Sequence, residues 1–572
     1  MVSAALAGVI VTWAAFSSHS ISALWILLPS VFVLAVLKSL TKNARIHSRV
    51  QRIVRFYELG VARLRHQWQG RGISGEQFRP DNHLYASDLD LFGAGSMFEL
   101  LCTARTGIGG AMLASWLLHP AEAGEVTERQ AAVTELRPML DLREDWASFG
   151  GGRLDQAGTA VRDWAEGPSI VFPPYARALT IILPVCLVTL SLCAGAFGNI
   201  WPWVVAVPLV LEAALATFLR TKTRSVAANL VLPSFDLEML APLLNRFEML
   251  HFQCPLLKSL QLQLTASSAL PSKQIRLLRL WIRLLSFRQF EYFALLASPL
   301  LWGTNLAICI EGWRHRNRNG LAQWLDSLGQ FEALLCLARY SYENPGHVFP
   351  VLRSTSSVFR AEGLGHPLLD CKTAVRCDLE LYADRTQLIM VSGSNMSGKS
   401  TLLRSVGLNC VLALAGAPVC ASRLEISPLL LGCSISVQDS LLRAKSRFQA
   451  EVERLKWILS LSRTNNVLFL LDELLGGTNS ADRLFGANAV IDQLALNGAV
   501  GLVTTHDLAL TEAANALDGR AINMHFKEHY ENGEMLFDYQ MRPGVLPRTN
   551  GVNVMVELGL LPLPRSEPAD EI

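Results

Sequence analysis

The stretch GSNMSGKST, Gly393 to Thr401, has the spacing GxxxxGKS/T. Gly393 and Gly398 leave the backbone free to turn so that its amides face phosphate oxygens, with Ser394, Asn395, Met396 and Ser397 closing the loop between them. Lys399 is long enough to reach the outer phosphates, the Ser400 hydroxyl is placed for Mg2+, and Thr401 continues into the next element. Such a loop needs a carboxylate nearby. NNVLFLLDELLGGT supplies one: the apolar run Val467–Leu471 ends in Asp472, suited to hold Mg2+ directly or through water, and Glu473, suited to polarise an attacking water. Further on, AVGLVTTHDLAL ends an apolar run at His506, where a polar side chain can sense a γ-phosphate. The chemistry these residues share is hydrolysis of a nucleoside triphosphate, with ATP and Mg2+ as the expected ligands.

Positioning them requires a strand, a loop and a helix in that order. QLIMVSGSNMSGKSTLLRSVGLNCVLALAG reads that way, and the Asp-Glu and His runs are short enough to be buried strands of the same sheet. The rest of the chain is different in kind. Its 572 residues predict three or four units, 51% are hydrophobic and only 17% charged, and the mean hydropathy is +0.28. A net charge of +2 gives no global basic field for nucleic acid. The 11 cysteines form no CxxC pair, which argues for free thiols in a reducing compartment.

Residues 2–37 carry no Asp, Glu, Lys or Arg, and two apolar runs, Val2–Phe16 and Ile21–Leu37, flank the polar break SSHS. A spanning helix needs about 20 apolar residues, so a tight hairpin and one kinked span both remain open. Lys38, Lys42, Arg45, Arg49 and Arg52 follow, the mark of a cytoplasmic flank. A second pair is expected at Ala178–Phe197 and from Trp203 to Leu219, joined by GNIWPW and flanked by Arg177 and by Arg220, Lys222 and Arg224; this predicts a hairpin that goes out and returns. Glu212 lies within its second arm. Phe293–Ile310 is apolar but flanked by Glu291 and Glu311, and is read as a buried helix or a membrane-surface element. KQIRLLRLWIRLL places Arg276, Arg279 and Arg283 on one helical face, for headgroups or solvent rather than DNA phosphate; RHRNRN (Arg314–Asn319) is read as a charged loop, and 321–345 as a helix ended by Pro345.

The order and spacing of these stretches resemble the ATPase domain of the MutS family of DNA mismatch repair proteins. GHPLL opens it at Gly365–Leu369, GSNMSGKSTLLR is similar to the family loop with Ser394 and Ser397 where proline and glycine are usual, and LLDELLGGTNSAD is similar to its carboxylate strand with Leu475 and Gly476 replacing glycine and arginine. AGAPVCA and TTHD also match. The resemblance implies that Ser446, in VQDSLLRAKSRFQAEVERL, reaches the partner subunit's nucleotide, and that His525, in NMHF, packs on adenine; the aromatic expected near Ala374–Val375 is absent. Upstream, DLDLFGAGSMFELLCTARTGIGGAMLASWLLHP and WLDSLGQFEALLCLARYSYENP resemble the family's helical core and lever, so that residues 83–563 are largely covered. The string Phe56-Tyr57-Glu58 fits the family's mismatch wedge, but too few residues surround it for the domain a wedge needs, and it is read as coincidence.

The expected fold is therefore an α/β P-loop ATPase preceded by an all-α MutS-like core with inserted transmembrane hairpins. Its units are an N-terminal hairpin (1–44), core (45–177), inserted hairpin (178–220), core and lever (221–365), ATPase (366–563) and a polar tail (564–572). The expected protein is a multi-pass protein of the cytoplasmic membrane, core and ATPase inside, a homodimer through composite ATP sites, with lipid around it. Mismatched or branched DNA is what the resemblance implies. The alternative is an ATP-driven switch on a membrane partner. A transporter motor ranks last, since RAKSRFQAE is not an LSGGQ-type signature.

Overall fold

The computed structural model describes residues 27–150, 159–197, 202–265, 270–287, 297, 300–354, 356–370, 372, 374–394, 397–435, 447–515, 517, 519–531 and 534–545. The first apolar run, Asn395, Met396, Ser446, most of 293–299 and the expected polar tail lie outside the described residues.

Helix α1 (Leu27–Leu64) carries the second apolar run straight into the basic stretch, because no Gly or Pro interrupts residues 30–59. The expected boundary at 44/45 thus falls inside one helix. Phe56-Tyr57-Glu58 is a turn of it, with the Tyr57 hydroxyl donating to Glu144 at 2.5 Å. α2 (Met97–Leu101) and α3 (Gly107–Leu118) begin at Ser96 and Thr106, whose hydroxyls accept from the Glu99 and Gly109 amides. α4 (Ala123–Leu136), α5 (Leu140–Ser148) and α6 (Thr159–Glu166) complete this part of the core.

α7 (Ala176–Phe197) and α8 (Pro202–Asn229) pair as a hairpin. Both are long and apolar enough to cross a membrane, and only 17% of each apolar window is buried. Ile181, Val185 and Leu192 on α7 and Val207, Val210 and Phe218 on α8 face outward. α8 continues through Arg220, Lys222 and Arg224, so the boundary expected at 220/221 is also interior to a helix.

After α9 (Val231–Glu248), α10 (Pro255–Thr265) and α11 (Pro271–Ser286), α12 (Trp302–Glu343) runs for 42 residues. At 1.5 Å per residue that is about 63 Å. It joins the apolar stretch from Trp302 onward to the expected lever, and it corrects the reading of Arg314–Asn319 as a loop. Two arginines of that segment are anchored in the helical form: Arg314 is buried against Glu311 and donates to the Gly167 carbonyl at 2.7 Å, and Arg318 donates to the Glu166 carbonyl at 2.6 Å. On α11, Arg279 pairs with Glu238 and Arg276 donates to Asn245 Oδ1 at 3.3 Å.

α12 is the spine of the helical part and packs on α3, α4, α10 and α11. Its buried Glu332 accepts from the Arg105 and Thr106 amides at 3.0 and 3.1 Å, from the Thr106 hydroxyl, and from Trp146 Nε1 at 2.8 Å. One buried carboxylate therefore ties α12 to the start of α3 and to α5.

The C-terminal part holds β1 (Val351–Leu352), β2 (Val358–Leu364), β3 (Cys377–Tyr382), β4 (Leu388–Ser392), α13 (Lys399–Ala415), β5 (Arg423–Ile426), β6 (Leu430–Ser434), α14 (Arg447–Ser462), β7 (Val467–Asp472), α15 (Ser480–Leu496), β8 (Val500–Thr505), α16 (Leu508–Asn515), β9 (Ala521–Glu531) and β10 (Glu534–Pro543). A small sheet has the order β1-β5-β2-β3. Because β1 and β2 pair with β5, and Val348 bridges to Val419, this part begins before the expected 365/366 boundary. The large sheet has the order β10-β9-β4-β8-β7-β6, parallel except for β10. β4 and β8 are buried along their whole length, as continuous apolar strands in a two-sided parallel sheet must be.

Candidate functional site

The three candidate stretches meet at the carboxyl ends of neighbouring strands β4, β8 and β7. Gly398, at φ +99°, caps the start of α13, and a Cβ there would come within 3.0 Å of the Tyr539 ring. This is a position where only glycine fits both the backbone and the space. At Gly393 a Cβ would meet Ser397 Oγ at 2.8 Å. Lys399 is buried, and its ammonium donates to the carbonyls of Gly393 and Ser394 at 2.7 and 2.8 Å, which holds the loop curled around it. Ser397 Oγ is buried with no hydrogen-bond partner among the described residues.

Ser400 Oγ donates to Asp472 Oδ2 at 2.6 Å, and the Thr504 hydroxyl donates to Asp472 Oδ1. Strand β8 thus orients the carboxylate of β7 toward the first turn of α13. Two hard oxygens side by side, one of them a carboxylate, fit Mg2+ better than a softer metal. Glu473 follows at φ +48°, its amide held by the Thr504 carbonyl at 3.2 Å. Its Oε1 lies 3.3 Å from His506 Nδ1, so the two expected catalytic side chains are adjacent. Leu475, standing where the resemblance expects glycine, takes φ +54°; its amide donates to Glu451 Oε1 at 2.7 Å, which helps hold a conformation costly for a side-chain-bearing residue.

A cavity of about 620 Å³ opens beside this cluster. Gly398, Lys399, Ser400, Thr401 and Glu473 form its polar end, while Leu364, Leu369, Val375, Phe526 and Tyr539 form an apolar wall. Such a two-ended cavity suits a ligand with phosphates at one end and a flat apolar group at the other. His366, of the GHPLL stretch, also lines it; burial, with Arg404 nearby, pushes its pKa down to about 4 and keeps the ring neutral.

Asp472, Glu473, His506, Lys399 and Ser400 are brought together as the sequence reading expects. His525 is not. It lies opposite Ser392 in the β9–β4 ladder, is half-buried, bonds through Nδ1 to the Gly544 carbonyl at 3.1 Å, and does not line the cavity. Its neighbour Phe526, which strand alternation turns to the other face, does. Tyr539 was missed. It sits at φ +53° beside an irregularity in the β10–β9 register, and no motif marks a tyrosine at a bulge. Ala374 and Val375 do line the cavity, without an aromatic ring.

Residues 389–569 match the family model described as MutS domain V. Over 176 residues the chain is 39% identical to the DNA mismatch repair protein MutS 2 of Haloarcula marismortui, covering 30% of this chain and 18% of that protein. It is 36% identical over 198 residues to the DNA mismatch repair protein MutS of Thermus aquaticus, 34% of this chain and 23% of that one. It is 31% identical over 241 residues to the DNA mismatch repair protein MSH3 of Phaeosphaeria nodorum, 41% of this chain and 21% of that one. The matched stretch thus spans about a fifth of the length of each relative.

Proposed function

Because the chain belongs to the MutS family through its domain V, we propose that it is a membrane-anchored ATPase that hydrolyses ATP to ADP and phosphate and uses the cycle to change the shape of a dimer. The observation that carries this reading is the convergence of Lys399, the Ser400–Asp472 pair and the Glu473–His506 pair at one end of the cavity. Loop amides and Lys399 bind the β- and γ-phosphates, and the apolar wall takes the base. Ser400 and Asp472 would hold Mg2+, which neutralises phosphate charge when bound. Glu473 accepts a proton from the attacking water, and His506, beside it, faces the γ-phosphate. Closure by a second copy, with Ser446 reaching across, is what the family resemblance suggests.

The matched relatives are mismatch repair proteins, and binding of mismatched or branched DNA in repair or recombination is the reading we adopt for the load of this cycle. A second reading has a specific observation behind it: Arg279 and Arg276 of the basic helix are engaged by Glu238 and Asn245, while the α7–α8 hairpin presents an apolar surface outward. In that reading the ATPase drives a membrane partner and touches no DNA. Hydrolysis by the full-length protein in detergent, with and without duplex, mismatched and branched DNA, separates the two, with Glu473→Ala as control. Salt-sensitive stimulation by DNA supports the first. Glu473-dependent turnover blind to every DNA supports the second, and turnover unaffected by Glu473→Ala overturns the assigned site.

A further inference from the structure

The outer face of α1 repeats apolar residues at alternating steps of three and four: Leu40, Val50, Val54, Tyr57, Val61 and Leu64, with Asn43 and His47 filling the two intervening steps. Those six are 42% to 62% exposed. In a heptad reading with Leu40 at position a, this stripe is an unbroken a/d seam to Leu64. From Leu40 through Tyr57, every charged residue (Lys42, Arg45, Arg49, Arg52 and Arg55) falls at b, c or f, so none flanks the seam. The rest of the helix surface is already in use: α1 packs on α5, Arg49 pairs with Asp145, Arg52 donates to the Ser148 carbonyl at 2.8 Å, and Tyr57, at the edge of the stripe, reaches Glu144 of α5 through its hydroxyl.

We infer that α1 pairs with α1 of a second copy as a parallel two-stranded coiled coil. The period selects the occupant. A helix covering this stripe must present the same 3.5-residue repeat to interlock with it, and another copy of α1 does so by construction. A lipid-facing surface needs no such period. Clearing charge from the a, d, e and g positions lets two identical basic helices approach without opposing their arginines. Asn43, within the seam, meets its own copy only in one register, which fixes the alignment. The parallel sense rests on the membrane reading above, since every copy would then enter α1 from the same side. This contact needs no nucleotide and is separate from the composite ATP site.

The test is disulfide cross-linking of the full-length protein in detergent, without nucleotide, using Val50→Cys and Leu64→Cys singly and Arg45→Cys as the off-seam control. The two seam positions lie about 21 Å apart along the helix, so only parallel pairing brings both next to their own copies. The expected result is a disulfide-linked dimer for each seam variant, absent from Arg45→Cys and from the unsubstituted protein, and retained when Lys399→Ala removes nucleotide binding. A dimer from only one seam position means antiparallel packing and overturns the inference, as does equal cross-linking at Arg45→Cys. So does a Val50→Cys thiol that never cross-links and loses reactivity to a water-soluble maleimide only in lipid vesicles, which would put lipid on the stripe. Loss of ATPase activity with cross-linking intact would count against the proposed function alone.

Discussion

At the Glu473–His506 pair, 3.3 Å separates a carboxylate able to take a proton from the one imidazole beside it. General-base assistance of this kind contributes about 10²- to 10⁴-fold, so Glu473→Ala should cut turnover by about that factor and leave nucleotide binding intact. Equilibrium binding of a fluorescent ATP analogue, measured beside phosphate release, checks both halves. Gly398→Ala should do the reverse. Its φ of +99° is unfavourable for alanine, and the added Cβ meets the Tyr539 ring at 3.0 Å, so binding itself should be lost while the helical core melts unchanged. The polar end of the site was legible from spacing because phosphate chemistry dictates residue types at fixed offsets. The base end was not. An apolar wall can be built from any large side chain, and Tyr539 and Phe526 reach it only through a register irregularity and the two-residue alternation of β9.

Among the elements, the buried strands were readable because VLFLL and its neighbours are short apolar runs ending in polar residues, the pattern of a strand covered on both faces. The length of α12 was not. Its RHRNRN segment has the composition of a loop, and the carbonyls of Gly167 and Glu166, about 150 positions earlier in the chain, together with the carboxylate of Glu311 one turn before Arg314, show why it stays helical. The far end of α12 is held by a triad. Glu343 accepts from Arg63 Nε and Nη2 at 2.8 and 2.7 Å and from Arg339 at 2.5 Å, joining the ends of α1 and α12. Burial acts to raise the Glu343 carboxyl, but Arg339 and Arg63 outweigh it and hold the pKa below the ordinary 4.5. A depressed carboxyl stabilises the fold fully above its unfolded pKa and loses that contribution as pH falls through the folded value. The triad should therefore stabilise at neutral pH and fail only below about 4.5, where the carboxyl takes up its proton. Glu343→Gln leaves two buried guanidiniums without their anion and should cost roughly 3–5 kcal/mol at neutral pH, with the difference from the parent narrowing in acid. Thermal melts of both proteins across that range test it.

On the scale of the whole molecule, the helix that starts at the phosphate loop ends against the helical core. At the C-terminus of α13, the Gly416 backbone packs on Arg129, whose guanidinium stacks over Trp116 of α3, while Arg404 pairs with Asp90 at 2.9 Å. The loop is therefore joined through packed contacts to the α3–α4 pair and, through the Glu332 cluster, to α12. From Trp302 to Asn305, α12 lies at the base of the hairpin: Asn305 donates to the Thr180 carbonyl at 2.9 Å. That continuous path would give the proposed nucleotide turnover a mechanical route to α7 and α8, and it makes their topology the decisive property. α7 has 22 residues, or about 33 Å of helix, against a hydrocarbon thickness of about 30 Å, so one crossing out and one back would put the GNIWPW turn on the side opposite the nucleotide site. In intact cells, a cysteine introduced as Asn199→Cys should react with a membrane-impermeant maleimide above the background of the unsubstituted protein. Asp384→Cys, on the exposed surface of the nucleotide part, should react only after permeabilisation. If both positions stay silent until the membrane is opened, the hairpin does not cross, its apolar face must be covered by protein, and the route through α12 ends at a partner subunit instead of a bilayer.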